Sequence, residues 1–184
     1  MANCDTITKG LAELSCKNTV AGLKAIYMIP YGEYDFDKVS DDVDGHVVKD
    51  MGINEAVKDA FRFPLKNTGN TFTEPAESSR DNGTTVFQPT LNFIVTKINA
   101  QMQYQMKLLS WGRPIIVMET NAGDFLMLGS ENGMEVVPTT NVEGELTGAN
   151  NYSFEATGEE REPSYFLTGD AVTALKAIVS SDNI

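Results

Sequence analysis

His46 is the only histidine in this 184-residue chain. Any serine or cysteine nucleophile would have to draw its base from that one imidazole, held in place by the fold. It lies in an acidic stretch, EYDFDKVSDDVDGHVVKDMG, residues 33–52, where a surface histidine without a catalytic role is the simpler reading. Neither Gly-x-Ser-x-Gly nor a Gly-rich phosphate loop ending in Lys occurs, so acyl transfer and nucleotide hydrolysis lack their usual signatures. Asp42, Asp44 and Gly45 have the spacing of half a calcium loop. Ser40 would then hold the first ligand position and Met51 the closing one, where a bidentate Glu is needed. Glu159 and Glu160 offer two adjacent carboxylates. Glycoside hydrolysis needs its pair about 5 to 10 Å apart across a cleft, which adjacent exposed residues do not guarantee. No catalytic residue, metal ligand or cofactor is therefore assigned, and the chain is read as a non-enzyme.

The 41% hydrophobic content is enough for a packed core, and 184 residues fit a single domain, 1–184. Lys and Arg number 14 against 26 Asp and Glu, a net charge of −12. Such a surface opposes phosphate backbones and anionic lipid heads. The first residues, MANCDTITKGLAELSCKN, contain no apolar run behind basic residues, so synthesis in a cytoplasm without membrane insertion is expected. Cys4 and Cys16 fall in this N-terminal arm, residues 1–19. Two thiols so placed make no disulfide framework, and a reduced pair is favoured over a bridge.

The stretch QPTLNFIVTKINAQMQYQMKLLSWGRPIIV, residues 88–117, passes from a two-residue period to a helical one and on to a second apolar strand. Phe87, Pro89, Leu91, Phe93 and Val95 alternate along a strand over 84–96. Ile98, Met102, Met106 and Leu109 then predict an amphipathic helix over 97–110 that lids the sheet. Upstream, Ala21, Leu23, Ala25, Tyr27 and Ile29 read as a strand ending at Pro30 and Gly32, and the acidic stretch as a solvated loop with a short helix in INEAVKDAF, residues 53–61. Phe61, Phe63 and Leu65 form a strand that Pro64 places at an edge or a bulge. Residues 67–84 are polar and Thr-rich, which predicts a projecting hairpin with its tip at RDNG, 80–83. Residues 113–137 read as a three-strand antiparallel meander, 138–150 as a loop, and Tyr152, Phe154 and Ala156 as the inward side of a further strand. A final strand leads to a C-terminal helix and tail, 169–184, capped by Asp170 with Val172, Leu175 and Val179 on one stripe. The expected fold is mainly β: an antiparallel β-sandwich or open barrel over 20–168, flanked by a helix, with the C-terminal helix as a second cover or an intersubunit contact.

The projecting hairpin, the strand running into a helix (TLNFIVTKINAQMQYQMKLL), the Gly-turned segment (RPIIVMETNAGDFLMLGSENGMEV) and the late strand (NNYSFEATGEEREPSYFL) resemble, by element order, virion tail proteins of tailed bacteriophages of the Bacteroidota type, above all the tail tube group. The resemblance implies a subunit whose sheets join those of neighbours into a ring, commonly of six, with rings stacked around a genome-conducting channel. Its partners would be copies of itself, other virion tail proteins and passing DNA that is not specifically bound. Its place would be the phage tail after synthesis in the host cytoplasm. Glu74 and Glu77, in the hairpin, become candidates for a lumen or interface face, with an ordinary solvated face as the alternative. A ring or connector protein of a short tail or head–tail junction shares these features. A β-sandwich module binding carbohydrate or protein through Tyr31, Tyr34 or Trp111 is the reading from a different class.

Overall fold

A computed structural model describes residues 20–42, 46–53, 60–65, 68–96 and 98–180. The N-terminal arm with Cys4 and Cys16, Asp44 and Gly45 of the calcium-like fragment, and most of the expected short helix over 53–61 lie outside the described residues.

The strands are β1 (Leu23–Ile29), β2 (Tyr34–Asp42), β3 (Val47–Ile53), β4 (Phe61–Pro64), β5 (Thr71–Thr73), β6 (Ala76–Ser79), β7 (Thr84–Phe87), β8 (Thr90–Thr96), β9 (Ile115–Thr120), β10 (Phe125–Leu128), β11 (Glu135–Val142), β12 (Asn150–Thr157) and β13 (Tyr165–Leu167). The helices are α1 (Ala100–Leu109) and α2 (Gly169–Ala177). Among the described residues the strands form a seven-stranded sheet in the order β2-β3-β13-β10-β9-β1-β4, a four-stranded sheet in the order β11-β12-β8-β5, and the separate pair β6-β7. All pairings are antiparallel except β13 with β3. The fold is mainly β, as expected, with open sheets stacked in the manner of a β-sandwich.

Strand β1 shows why the sheets stack. Its residues from Ala25 to Ile29 are all buried, the near-continuous apolar run of a strand covered on both faces. Ile26 and Met28 point, with Ile116, Met118 and Leu128, toward Leu91, Phe93, Tyr152 and Phe154 of the small sheet and toward Met102 and Met106 of α1. Ala25, Tyr27 and Ile29 point the other way, with Ile115, Val117 and Met127, toward Ala171 and Leu175 of α2. Small sheet with α1, large sheet, and α2 thus make three layers around two apolar cores. In the first core Phe93 and Phe154 pair across β8 and β12 with parallel rings 4.6 Å apart, worth about 0.5–1.5 kcal/mol beyond the area they bury.

The helix on this core begins one turn later than its period implies. Asn99 is extended, and its side chain accepts the Met102 N–H at 2.6 Å, which caps α1. At α2 the cap is Thr168, not Asp170, because the Thr168 N–H is already tied to the Val48 carbonyl in extended geometry and its hydroxyl faces Ala171 N–H. Asp170 sits in the first turn instead, where a carboxylate complements the helix dipole.

Four other expectations are corrected. The acidic stretch is not a loop: β2 and β3 pair antiparallel at one end of the large sheet, Val39 opposite Met51 and Ser40 opposite Asp50. Of the calcium-like positions, Ser40 and Asp42 therefore fall in β2 and Met51 in the adjacent β3. The strand over 84–96 is two strands, broken at Gln88 and Pro89, because Pro89 has no N–H for a ladder. The hairpin is shifted to 76–87, since Thr71–Thr73 pairs with β8 instead, although its tip is at 80–83 as expected. The meander stops after two strands: β9 and β10 pair, but β11 crosses to the small sheet and extends through Val142. Gly133 makes that crossing, with φ of 76° and the Arg113 carbonyl oxygen 2.7 Å from where a Cβ would stand.

Candidate functional site

The β6–β7 arm is a ladder of four residue pairs, Ala76 opposite Phe87 to Ser79 opposite Thr84, turning at 80–83. Among the described residues no third strand joins it. Its root is fastened by backbone bonds between Phe87 and Glu160, at 2.8 and 2.9 Å, and from Gln88 N–H to the Pro75 carbonyl at 3.0 Å.

The residues around that root form one polar knot. Glu160 is 5% exposed; its two carboxylate oxygens accept the N–H groups of Glu131 at 2.9 Å and Asn132 at 3.0 Å. Burial pushes its carboxyl above the ordinary value of 4.5, and the charges of Glu131 and Glu74 add to that, against the pull of the two N–H bonds. The Asn132 side chain donates to the Glu159 carbonyl at 2.7 Å, and Arg161 pairs with Glu131 at 3.2 Å. Glu74 takes the Ser164 N–H at 2.9 Å and its hydroxyl at 2.5 Å on one oxygen. Glu159 and Glu160 are thus no exposed pair, because the chain reverses face between them: Glu159 is exposed and Glu160 buried. Glu74 and Glu77 are also separated in role, Glu74 bonded into the knot and Glu77 exposed on the arm. With Val86, Gln88 and Glu159, Glu77 lines a groove of about 490 Å³ whose other walls are the hydroxyl-bearing Ser78, Ser79 and Thr84.

Two sheet edges bear on assembly. β11 pairs with β12 without a register break, and Glu143 N–H continues the ladder to the Ala149 carbonyl. Inward-turned backbone groups recur at every second residue, so the odd positions of β11 bond β12 and Pro138 faces outward. On β4 the Leu65 N–H bonds Lys24 O, which by the same parity turns Pro64 and Ala60 outward. Ala60 is covered there by Ile178 and Ser180 of the segment after α2. Both edges thus carry proline where a free donor would otherwise invite another strand.

Helix α1 presents the other unpartnered surface. Tyr104, Leu108 and Trp111 are 58, 42 and 74% exposed, while Met102 and Met106 are buried. The Lys107 ammonium lies 4.5 Å above the Trp111 ring and the Arg113 guanidinium 4.9 Å above that of Tyr31.

His46 stacks on Tyr165 at 4.0 Å with its Nε2 2.5 Å from the Pro163 carbonyl oxygen, and its backbone φ is 50°. A ring so engaged is a turn anchor at the β3–β13 junction. Tyr31 donates its hydroxyl to the Glu131 carbonyl at 2.8 Å beneath Arg113. The Tyr34 side chain lies outside the described set. One buried carboxylate escaped the sequence reading: Glu119, 4% exposed, bonds Lys24 at 2.5 Å and the Tyr27 hydroxyl at 3.0 Å, and Arg62 donates to that hydroxyl at 3.2 Å. Its signal was strand parity, since Glu119 shares the inward side of Ile115 and Val117. Burial pushes the Glu119 carboxyl up, but bonds from Lys24 and Tyr27 and the charges of Lys24 and Arg62 outweigh it and hold the carboxyl below the ordinary value of 4.5.

Among the described residues no three His, Cys, Asp or Glu side chains are grouped as a metal site. No helix among them is long and apolar enough to cross a membrane. Comparison with protein-family models, curated proteins and solved structures yields no match.

Proposed function

We propose that the chain is a structural subunit of a bacteriophage tail, assembling with copies of itself into stacked rings around a genome-conducting channel. The observation that supports this reading most is the β6–β7 arm. An isolated two-stranded ladder is marginal in water, and this one has a polar groove on its flank and no third strand among the described residues. Support from a neighbouring molecule explains why such an arm is kept. The net charge of −12 fits a channel past which DNA slides, since like charge repels a polyanion over about 8 Å at physiological salt. A ring or connector protein of a short tail or head–tail junction shares this reading's physics. Because Pro64 and Pro138 blunt two of the edges, side-chain surfaces and the arm are the joints this reading uses, in place of strand-to-strand pairing.

Negative-stain imaging with light scattering over a concentration series tests the proposal. Rings or tubes are the expected result, with amides of 76–87 protected from hydrogen exchange on assembly. A monomer at every concentration overturns it. If that monomer binds glycans and loses the binding in Trp111→Ala, the carbohydrate-module reading replaces it, a reading supported by the exposure of Trp111.

A further inference from the structure

We infer that the outer face of α1 and the turn after it dock onto a second copy of this chain, with Trp111 and Lys107 entering the groove beside that copy's β6–β7 arm. The inference rests on the self-assembly reading and names its contact.

Tyr104 and Leu108, four residues apart, share one side of the helix, and Trp111 follows in the turn after the Ser110 cap, its N–H bonded to the Leu108 carbonyl at 3.2 Å. Met102 and Met106 already supply the buried stripe that holds α1 to the core. A second apolar group contributes nothing to that packing, and among the described residues Trp111 is the most exposed of the large aromatic side chains. Exposed apolar groups concentrated on one helix mark an interaction surface.

Charge selects the occupant. From Ile98 to Met118 the charged side chains are Lys107 and Arg113, both positive, in a chain of net charge −12. The patch facing its own copy would set Lys107 against Lys107. The acidic surface of another copy complements it instead. The arm groove, about 490 Å³, has carboxylates in Glu77 and Glu159, an apolar wall in Val86 and no cationic residue in its lining. An indole carrying an ammonium above its ring matches that lining group by group. Val86 packs the ring, and the carboxylates accept from the ammonium and from the indole N–H. Because knob and groove are different surfaces, the contact can propagate from copy to copy, as a ring or filament requires.

The test uses the full chain, with light scattering and negative stain across concentration and circular dichroism to show that each variant folds. Lys107→Glu, and separately Glu77→Lys with Glu159→Lys, are expected to raise the concentration needed for assembly by about tenfold or more. A chain carrying all three changes restores opposite charge across the joint and is expected to recover assembly to near the wild-type concentration. Trp111→Ser, conservative for folding because the side chain is exposed, is expected to weaken assembly as Lys107→Glu does. Wild-type assembly with all these variants unaffected, or weakened one-sided variants without rescue by the triple change, overturns this contact while leaving the assembly reading standing. A wild-type chain that never assembles overturns both. Binding of an oligonucleotide that is lost in Trp111→Ser, with assembly unchanged, assigns the patch to nucleic acid and also overturns the contact.

Discussion

The Glu160 carboxylate and the Asn132 backbone N–H meet at 3.0 Å although 28 residues separate them in sequence. The bond ties the turn between β10 and β11 to the strand segment that anchors the arm through Phe87. Glu160→Ala removes the acceptor of two N–H groups, that of half-buried Glu131 and that of exposed Asn132, which water can partly replace, so a loss of about 1 kcal/mol is expected. Denaturant unfolding measures it, and faster hydrogen exchange at Phe87 is expected alongside.

The same carboxyl gives a pH dependence of defined sign. Its value is raised in the folded chain above the ordinary 4.5, so the folded state holds this proton more tightly than the unfolded one. Its contribution to stability is complete below 4.5 and is lost as pH rises through the raised folded value. Glu160→Gln removes the titration. The difference in unfolding midpoint between wild type and Glu160→Gln should therefore shift against the wild type as pH rises from 4.5 toward neutrality. A difference that stays flat across that range would refute the assignment.

Asn99 carries the junction between the strand and the helix that share residues 88–117. With its side chain accepting the Met102 N–H at 2.6 Å, Asn99→Ala should cost about 1 kcal/mol and Asn99→Gly only a few tenths. Urea midpoints for the two variants check the order. Equal losses would show that the cap contributes nothing specific.

Much of this architecture was legible where burial imposes a period. Phe93 and Phe154 declared their strands because alternate residues face a core, and Met102 and Met106 declared a helix. β2 and β3 were missed because an acidic pair at the end of a sheet needs no apolar alternation. The crossing of β11 was hidden because Gly129 and Gly133 have the same turn chemistry whether the next strand returns to its own sheet or joins another. Glu159 and Glu160 looked equivalent in sequence. Only the reversal of face at that point, fixed by the distant Phe87, buries one and exposes the other.

Pro138 offers a test of how the β11 edge is kept from pairing. Its missing N–H faces outward, beside the exposed Val137 and Val142. Pro138→Val restores a donor to a β-compatible edge, so it should promote strand-to-strand association between copies, seen as turbidity and dye binding at concentrations where the wild type stays clear. The fold itself should lose only about 0.4–1 kcal/mol, through the greater freedom of the unfolded chain.

Glu119 should respond to acid in the sense opposite to Glu160. Its carboxyl is held below 4.5 in the fold, burial being outweighed by Lys24, Tyr27 and Arg62, so its contribution is present above 4.5 and lost as pH falls through the lowered value. Glu119→Gln keeps an oxygen for the Tyr27 hydroxyl and forfeits the ion pair. Because the Lys24 side chain is 56% exposed, solvent screening limits that loss to below about 1 kcal/mol near neutrality. Glu119→Ala removes the acceptor as well and should cost more, since the Tyr27 hydroxyl then keeps only the bond donated by Arg62. Unfolding midpoints measured at neutral pH and again in acid below the lowered value separate the two effects: the wild type and Glu119→Gln should converge there, while Glu119→Ala should remain weaker than both.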